Sequence, residues 1–384
     1  MLVPLTNQPR DYSWGSTTLI PELTGRAPTG KPEAEVWFGD HPADPAETPD
    51  GRTLDRWLAA EGVEVGAPPH LPYLLKLLAA ASPLSIQAHP SQAQAEAGFA
   101  REEAAGIPRD AADRTYRDAN HKPELIVAVS DAFRALAGLR DIDATRRLVE
   151  GLGEGARELA ARLQEPDAAL DDVVGWVLSE DGREKAPAII AAARGGASEE
   201  FRDELALVAE LDAAYPGDPG IVVALLMNLV TLRRGEGLFV PAGVLHAYLE
   251  GLGVELMAAS DNVLRGGLTP KHVDVAELLS VLDPKPGPAP VVHPEPVSPG
   301  LVRFAVPVAD FALYRAAPTA AAPVDMRIDG VAIALATTGE VSVSGGSSTT
   351  PVALRPGAAV LVTPDEARLR IAGDGEVFVA VPGR

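Results

Sequence analysis

Residues 84–90 read LSIQAHP and alternate two kinds of side chain with a period of two. Ser85, Gln87 and His89 fall on one side, and Leu84, Ile86 and Ala88 on the other. On a β-strand, residues i, i+2 and i+4 share a face, so an amide oxygen and an imidazole point into one space. Burying such a pair on an apolar strand is unfavourable unless something binds it, and a metal ion is the candidate. Three further stretches offer partners. In DANHKPELIVAV (118–129), Glu124 follows Pro123, which donates no ladder N–H, so Glu124 is expected at a strand mouth with His121 and Lys122 beside it. In GEGLFVPAGVLHAY (235–248), His246 and Tyr248 share a strand face. GVELMAASDNVLRGGLTPKH (253–272) carries Glu255, Asp261, Asn262, Arg265 and Lys271. Each also has a plainer reading: a surface carboxylate at a strand end, a core histidine bonded to backbone, and a solvated loop.

Gln87, His89, Glu124 and His246 together supply two imidazole nitrogens and two side-chain oxygens. That set suits zinc, with bonds of about 2.0–2.2 Å, and donor type alone also admits manganese or iron. The chain has no cysteine, which removes disulfides and thiolate ligands and leaves nitrogen and oxygen as the donors.

The surroundings must be soluble and globular: 46% of residues are hydrophobic and 23% charged. The formal charge is 33 − 54 = −21. Such a surface repels phosphate backbones and anionic lipid, so neither nucleic acid nor a membrane is expected as a partner. An anionic substrate would need a local basic pocket, which makes the lysines near the candidate ligands worth following. The start, MLVPLTNQPRDYSWG, lacks a basic segment followed by an apolar run and is not expected to be a signal peptide. The apolar run IVVALLMNLV (221–230) is too short to span a bilayer. A cytoplasmic protein is expected.

At 384 residues, two or three domains are expected. Residues 1–140 read as strands and turns, with EVWFG (35–39) and ELIVAV (124–129) as strands and 91–106 as a helix capped by Ser91. From 141 to 232 the pattern is helical, including GIVVALLMNLVTLRR (220–234) towards its end. Every motif above flanks this block, so it reads as a helical insertion. Strand character returns in 233–285, in GLFVPAGVLHAYLEG (237–251) and VELMAAS (254–260). A Pro-rich linker comes next at 286–300, and 301–384 alternates apolar and polar residues between glycine turns, as in a small all-β sandwich or barrel.

Two resemblances sharpen this picture. The spacing Gly235-x5-Pro241-x-Gly243-x2-His246 resembles the second motif of the cupin superfamily, in which a strand histidine is aimed into a barrel. The chain as a whole resembles the type I mannose-6-phosphate isomerases (phosphomannose isomerases). YRDANHKPE (116–124) is similar to the family's Y-x-D-x-N-H-K-P-E signature throughout. HAYLEGLGVELMAASDNVLRGGLTPK (246–271) is similar to its second long signature, with Gly266 where alanine is usual. LSIQAHP is similar to its metal strand, with Ser91 where aspartate is common, and YSWGS (12–16) also fits. The likeness covers most of residues 1–275.

This resemblance implies a mainly β protein: a cupin (jelly-roll) catalytic domain in 1–140 and 233–285 with the all-helical insertion between. Gly357 to Pro364 echoes the cupin metal segment without a histidine, so the C-terminal domain is expected to be a second, metal-free cupin-like fold. The family implies one Zn2+ per chain on Gln87, His89, Glu124 and His246. It implies a catalytic Arg265, and a phosphate held by Ser85, Lys76 and Lys271, with Tyr248 also facing the substrate. The reaction implied interconverts mannose 6-phosphate and fructose 6-phosphate through a cis-enediol(ate), moving a proton between C1 and C2. The base is left open between Lys122, which must first lose its proton, and Glu255, which starts ionised. The expected partner is a small sugar phosphate, and the chain is expected to act as a monomer. The competing reading is a metal-containing cupin that binds or senses a sugar without turning it over. A cupin oxygenase is disfavoured by Gln87, because those sites usually carry histidine there.

Overall fold

The computed structural model describes residues 1–165 and 169–383. Ten strands build the site or tie it to the rest of the chain: β1 (Leu2–Leu5), β2 (Glu35–Phe38), β3 (Tyr73–Ala80), β4 (Ile86–Ala88), β5 (Glu124–Ala128), β6 (Ala132–Leu139), β7 (Met227–Arg233), β8 (Gly237–Val240), β9 (His246–Ala258) and β10 (Leu264–Gly267). Strands β2 to β10 belong to one antiparallel sheet built around β9, which pairs with β3, β4, β5 and β6. Strand β1 departs from it. It pairs antiparallel with Ala359–Val362 in a second sheet formed by the C-terminal residues.

The sequence suggests two strands in 237–260 beyond the proline turn, GLFVPAGVLHAYLEG and VELMAAS. Instead, His246 to Ala258 is one 13-residue strand that runs through Gly251 at φ +128°. Its glycine permits a backbone that a side chain would oppose, so the strand bends rather than ends. The ladder between β6 and β9 slips by one residue, with Arg134 opposite Glu250 but Ala135 opposite Tyr248. Such a bulge shifts which residues face inward. Below it the inward positions are even (His246, Tyr248), and above it they are odd (Glu255, Met257).

Between Ile142 and Leu225 the described residues form helices and no strand. The run 220–234 is not helical throughout, contrary to its apolar pattern. Gly220–Leu225 is a helix, whereas Met227–Arg233 is β7, paired with β6. A continuous apolar run suits a buried helix or a buried strand equally, and here tertiary pairing decides. Helix Gln92–Ala104 starts as expected. Ser91 accepts the N–H of Gln94, whose side chain accepts the N–H of Ser91 at 2.9 Å. The Pro-rich stretch 286–300 crosses between the sheets, lending Val291–Val292 to one and Glu295–Ser298 to the other. No helix among the described residues is long and apolar enough to cross a membrane.

The two sheets share a core. Phe38, Leu75 and Val254 from the first sit in one buried cluster with Phe304, Ile333 and Phe378 from the second. Tyr73 of β3, 1% exposed, reaches across and donates its hydroxyl to the carbonyls of Val331 and Ala380 at 3.0 and 3.2 Å. Replacing it as Tyr73→Phe keeps the ring but leaves both carbonyls without that donor. A loss of about 1 kcal/mol is expected, read as a lower urea midpoint at unchanged slope.

Candidate metal centre and the cavity above it

Three antiparallel strands lie side by side so that Arg265 of β10, Gln87 of β4 and His246 of β9 occupy one cross-strand row. Directly opposed residues on neighbouring strands project from the same face. His89 lies just after β4 and is fully buried, and Glu124 opens β5 at 4% exposure. Ligand atoms of His89, Glu124 and His246 all lie within 4.8 Å of one another.

The hydrogen bonds of the two histidines settle their chemistry. The Nδ1 of His89 meets the carbonyl of Asn262 at 2.8 Å, and the Nδ1 of His246 meets that of Val244 at 3.2 Å. A carbonyl only accepts, so each Nδ1 carries a proton and each Nε2 is turned the other way. Both Nε2 atoms face the Glu124 carboxylate, at 3.3 Å from His89 and 3.2 Å from His246. The buried Nε2 of His89 has no hydrogen-bond partner. Burial pushes His89 down to about 4, so at neutral pH the ring is uncharged. Burial would push the Glu124 carboxyl up, but the Lys122 ammonium beside it holds it well below the usual carboxylate range. Two imidazole nitrogens and a carboxylate converging in a buried space form a donor set for a cation, and its nitrogen and oxygen donors fit zinc. Gln87 donates its amide nitrogen to Ser85 Oγ at 3.0 Å, which leaves its amide oxygen as a fourth donor.

Asn262 braces this centre. Its buried side chain accepts the N–H groups of Arg117 and Asp118 at 2.7 and 3.3 Å, and donates to the carbonyls of Asp118 and Asn120 at 2.8 Å each. It thereby ties the segment leading to Glu124 to the carbonyl that orients His89.

Above the donors opens a cavity of about 450 Å³. Every other expected site residue lines it: Lys76, Ser85, Lys122, Tyr248, Glu255, Arg265 and Lys271. Their partners differ sharply. Lys122 Nζ lies 2.9 Å from Glu124 Oε1. Lys76 is buried between Glu255 at 3.1 Å and Glu35 at 3.7 Å. Burial opposes the charge on Lys76, but Glu35, Glu255 and Glu124 together push its ammonium above the usual range. Burial raises the Glu255 carboxyl, and Lys76 offsets only part of this. Tyr248 donates to Glu124 at 3.4 Å; burial, then Glu255 and Glu124, push its phenol upwards. Among the described residues, Arg265 and Lys271 have no carboxylate partner. Burial lowers both, helped by Arg117 beside each and by Arg265 beside Lys271. The cavity therefore has a buried donor end with half-buried Arg265 beside it, and an exposed Lys271, neither cation having a carboxylate partner among the described residues.

Several wall residues carry no signal that singles them out in the sequence. Trp37 donates its indole N–H to Glu35 at 2.7 Å, and His41 meets Asp261 at 3.2 Å. Tyr215, from the helical segment, also lines the cavity and donates to the carbonyl of Pro83 at 2.8 Å. Only the strand pattern of EVWFG could have drawn attention to Trp37; Tyr215 gives no local signal. His121 stays out of the cavity and pairs instead with Asp310 at 2.9 Å. Gly266 has an ordinary φ, and a Cβ there would meet Ile86 at 3.1 Å, so its lack of a side chain leaves the metal strand slightly more room.

The protein-family comparison matches residues 2–142 to the phosphomannose isomerase type I catalytic domain. The chain is 35% identical over 394 residues to mannose-6-phosphate isomerase of Escherichia coli (strain K12), covering 97% of each. It is 30% identical over 410 residues to the mannose-6-phosphate isomerase of Homo sapiens, covering 94% of this chain and 93% of that one. Among solved structures, mannose 6-phosphate isomerase from Salmonella typhimurium bound to its substrate, fructose 6-phosphate, and zinc superposes with a TM-score of 0.90 at 33% identity over the full length of both chains. A zinc-bound holo form gives 0.89 at 32% identity, again over both full lengths.

Because Asn262 orients a ligand without being one, Asn262→Ala should weaken zinc binding by about 10–100-fold while leaving the stoichiometry unchanged. Competition against a fluorescent chelator measures this, and an unaltered affinity would remove the bracing role.

Proposed function

The chain belongs to the type I phosphomannose isomerase family, and on that premise we propose that it interconverts mannose 6-phosphate and fructose 6-phosphate with one zinc per chain. The observation that carries this reading is the two-ended cavity: converging imidazole nitrogens and a carboxylate at the buried end, unpaired Lys271 at the exposed end, and unpaired Arg265 beside Gln87 between them. One end suits a cation and the other a phosphate, and the space of about 450 Å³ between them suits a hexose.

Gln87, His89, Glu124 and His246 would hold the zinc, which supplies Lewis-acid stabilisation of charge developing on the sugar's oxygens. The remaining steps belong to the chain. Lys271 and Ser85 take the phosphate. Lys76 is already paired, so it supports an anion by offsetting Glu35 and Glu255. Arg265, permanently cationic and planar, faces the reacting carbons from beside Gln87 and stabilises the enediolate. Glu255 is the better placed base: burial raises its affinity for a proton, and Lys76 fixes its orientation. It takes the proton from C2 of the aldose and returns it to C1 while the O2 hydroxyl proton passes to O1, so that C1=O becomes C1–OH and C2–OH becomes C2=O, or the reverse. Lys122 lies on Glu124 at 2.9 Å and orients that carboxylate. Tyr248 donates to the same group.

The architecture fits the same function. We take the sheet around β9 as a cupin barrel, the helices of 142–225 as an insertion in it, and the C-terminal sheet as a second cupin-like unit without a metal. One copy supplies all four expected metal donors and the residues assigned to the phosphate, so the monomer we propose needs no second copy to complete its site. A charged phosphate ester does not cross bilayers unaided, which supports a cytoplasmic location.

Three experiments test the function and the residues assigned to it. Purified protein supplied with fructose 6-phosphate should form mannose 6-phosphate, lose this activity to a chelator and regain it with zinc. Zinc-loaded protein that binds the sugar without turnover would instead be a binding module. Among variants, His246→Ala and Gln87→Ala should lose metal and activity together. Arg265→Ala should keep its metal and fold and lose kcat by about 10²–10³-fold, as for removal of a charge-stabilising donor. The base shows in pH–rate profiles: Glu255→Gln should abolish the acid limb of kcat/KM, whereas Lys122→Ala should retain it.

A further inference from the structure

Between Arg265 and Lys271 the backbone turns through Leu268 at φ +54°. A non-glycine residue occupies this left-handed region when its surroundings hold it there. The Leu268 side chain is 1% exposed, packed in the core shared with the helices. What holds the turn comes from the helical segment. Asp218 lies in the connection between helices Arg202–Ala214 and Gly220–Leu225. Its Oδ1 accepts the N–H of Leu268 at 3.1 Å and of Gly220 at 2.7 Å, and its Oδ2 accepts the N–H of Thr269 at 3.3 Å.

The two backbones touch where this happens. A Cβ on Gly220 would lie 2.7 Å from the Cα of Gly267 and 2.6 Å from the amide nitrogen of Leu268. Neither glycine can therefore carry a side chain without parting the segments. Asp218 does not line the substrate cavity; it sits behind the turn, and its oxygens are engaged by three backbone N–H groups. Its charge is thus not presented to a phosphate, and its effect runs through the backbone it holds.

Arg265 is secured independently, by pairing with Gln87 in β4. Lys271 lies beyond the turn, exposed, and has no such pairing. We infer that Asp218 is a positioning residue for substrate phosphate: the helical segment uses its carboxylate to fix the turn that delivers Lys271 to the cavity. The inference rests on the proposed function of the cavity, in which Lys271 takes the phosphate. It makes the helical segment part of substrate recognition, in addition to the wall it provides through Tyr215.

The test is steady-state kinetics with fructose 6-phosphate and a double-mutant cycle against Lys271→Ala. Asp218→Ala should raise KM about tenfold with kcat within about threefold, because uniform binding is lost and the chemistry is not. Asp218→Asn retains one acceptor oxygen and should show a smaller rise. In the Lys271→Ala background, Asp218→Ala should add little further to KM, because both changes remove the same contact. Should Asp218→Ala fail to fold, Asp218→Asn carries the test through a weaker calorimetric affinity for inorganic phosphate than wild type. An unchanged KM, or an additive effect in the cycle, overturns the inference and leaves Asp218 a stability residue. A wild-type protein that isomerises neither sugar phosphate overturns the proposed function of the cavity itself.

Discussion

Two imidazole nitrogens and a carboxylate meet in one buried space, and donors packed that closely call for a cation among them. The whole site is shaped by that constraint. His89 and His246 each donate Nδ1–H to a backbone carbonyl, which turns the Nε2 of both rings towards Glu124. Lys122 offers an ammonium to one carboxylate oxygen only. A divalent cation relieves all three groups at once, and the strands that bring them together are held by their own ladders, with Asn262 bracing the loop segments on either side.

The second constraint is electrostatic and acts on a larger scale. A chain of net charge −21 must still receive an anion. The fold achieves this by segregation. Carboxylates on the cavity wall have partners: Glu35 and Glu255 the ammonium of Lys76, Glu124 that of Lys122, and Asp261 the ring of His41. Arg265 and Lys271 are left unmatched, and their charge is therefore available to a ligand. In a partly desolvated cavity such charges act more strongly than they would in bulk water.

Much of the site was legible because its signals are local. The alternation around Gln87 and His89, the proline before Glu124 and the turn before His246 each mark a strand position without reference to the rest of the chain. What local pattern cannot carry is how two stretches meet. Glu255 and His246 differ by an odd number of residues and should face opposite ways on a regular strand; the slip in the ladder between β6 and β9 brings both to the cavity. The strand Met227–Arg233 hid inside an apolar run that a helix could equally have used. The pairing of Leu2–Leu5 with Ala359–Val362 spans nearly the whole chain, and neither segment contains any trace of the other. The double ion pairing of Lys76 depended on the register of β2 against β3 and of β3 against β9, so its identity as a lysine near the ligands was readable while its state was not.

The most direct test of the central claim is the position of the metal itself. Crystals grown with zinc and measured on both sides of its absorption edge should show a single anomalous peak about 2.0–2.2 Å from the Nε2 atoms of His89 and His246, a carboxylate oxygen of Glu124 and the amide oxygen of Gln87. A peak bound through Nδ1 of either histidine, or one lying away from Glu124, would contradict the account.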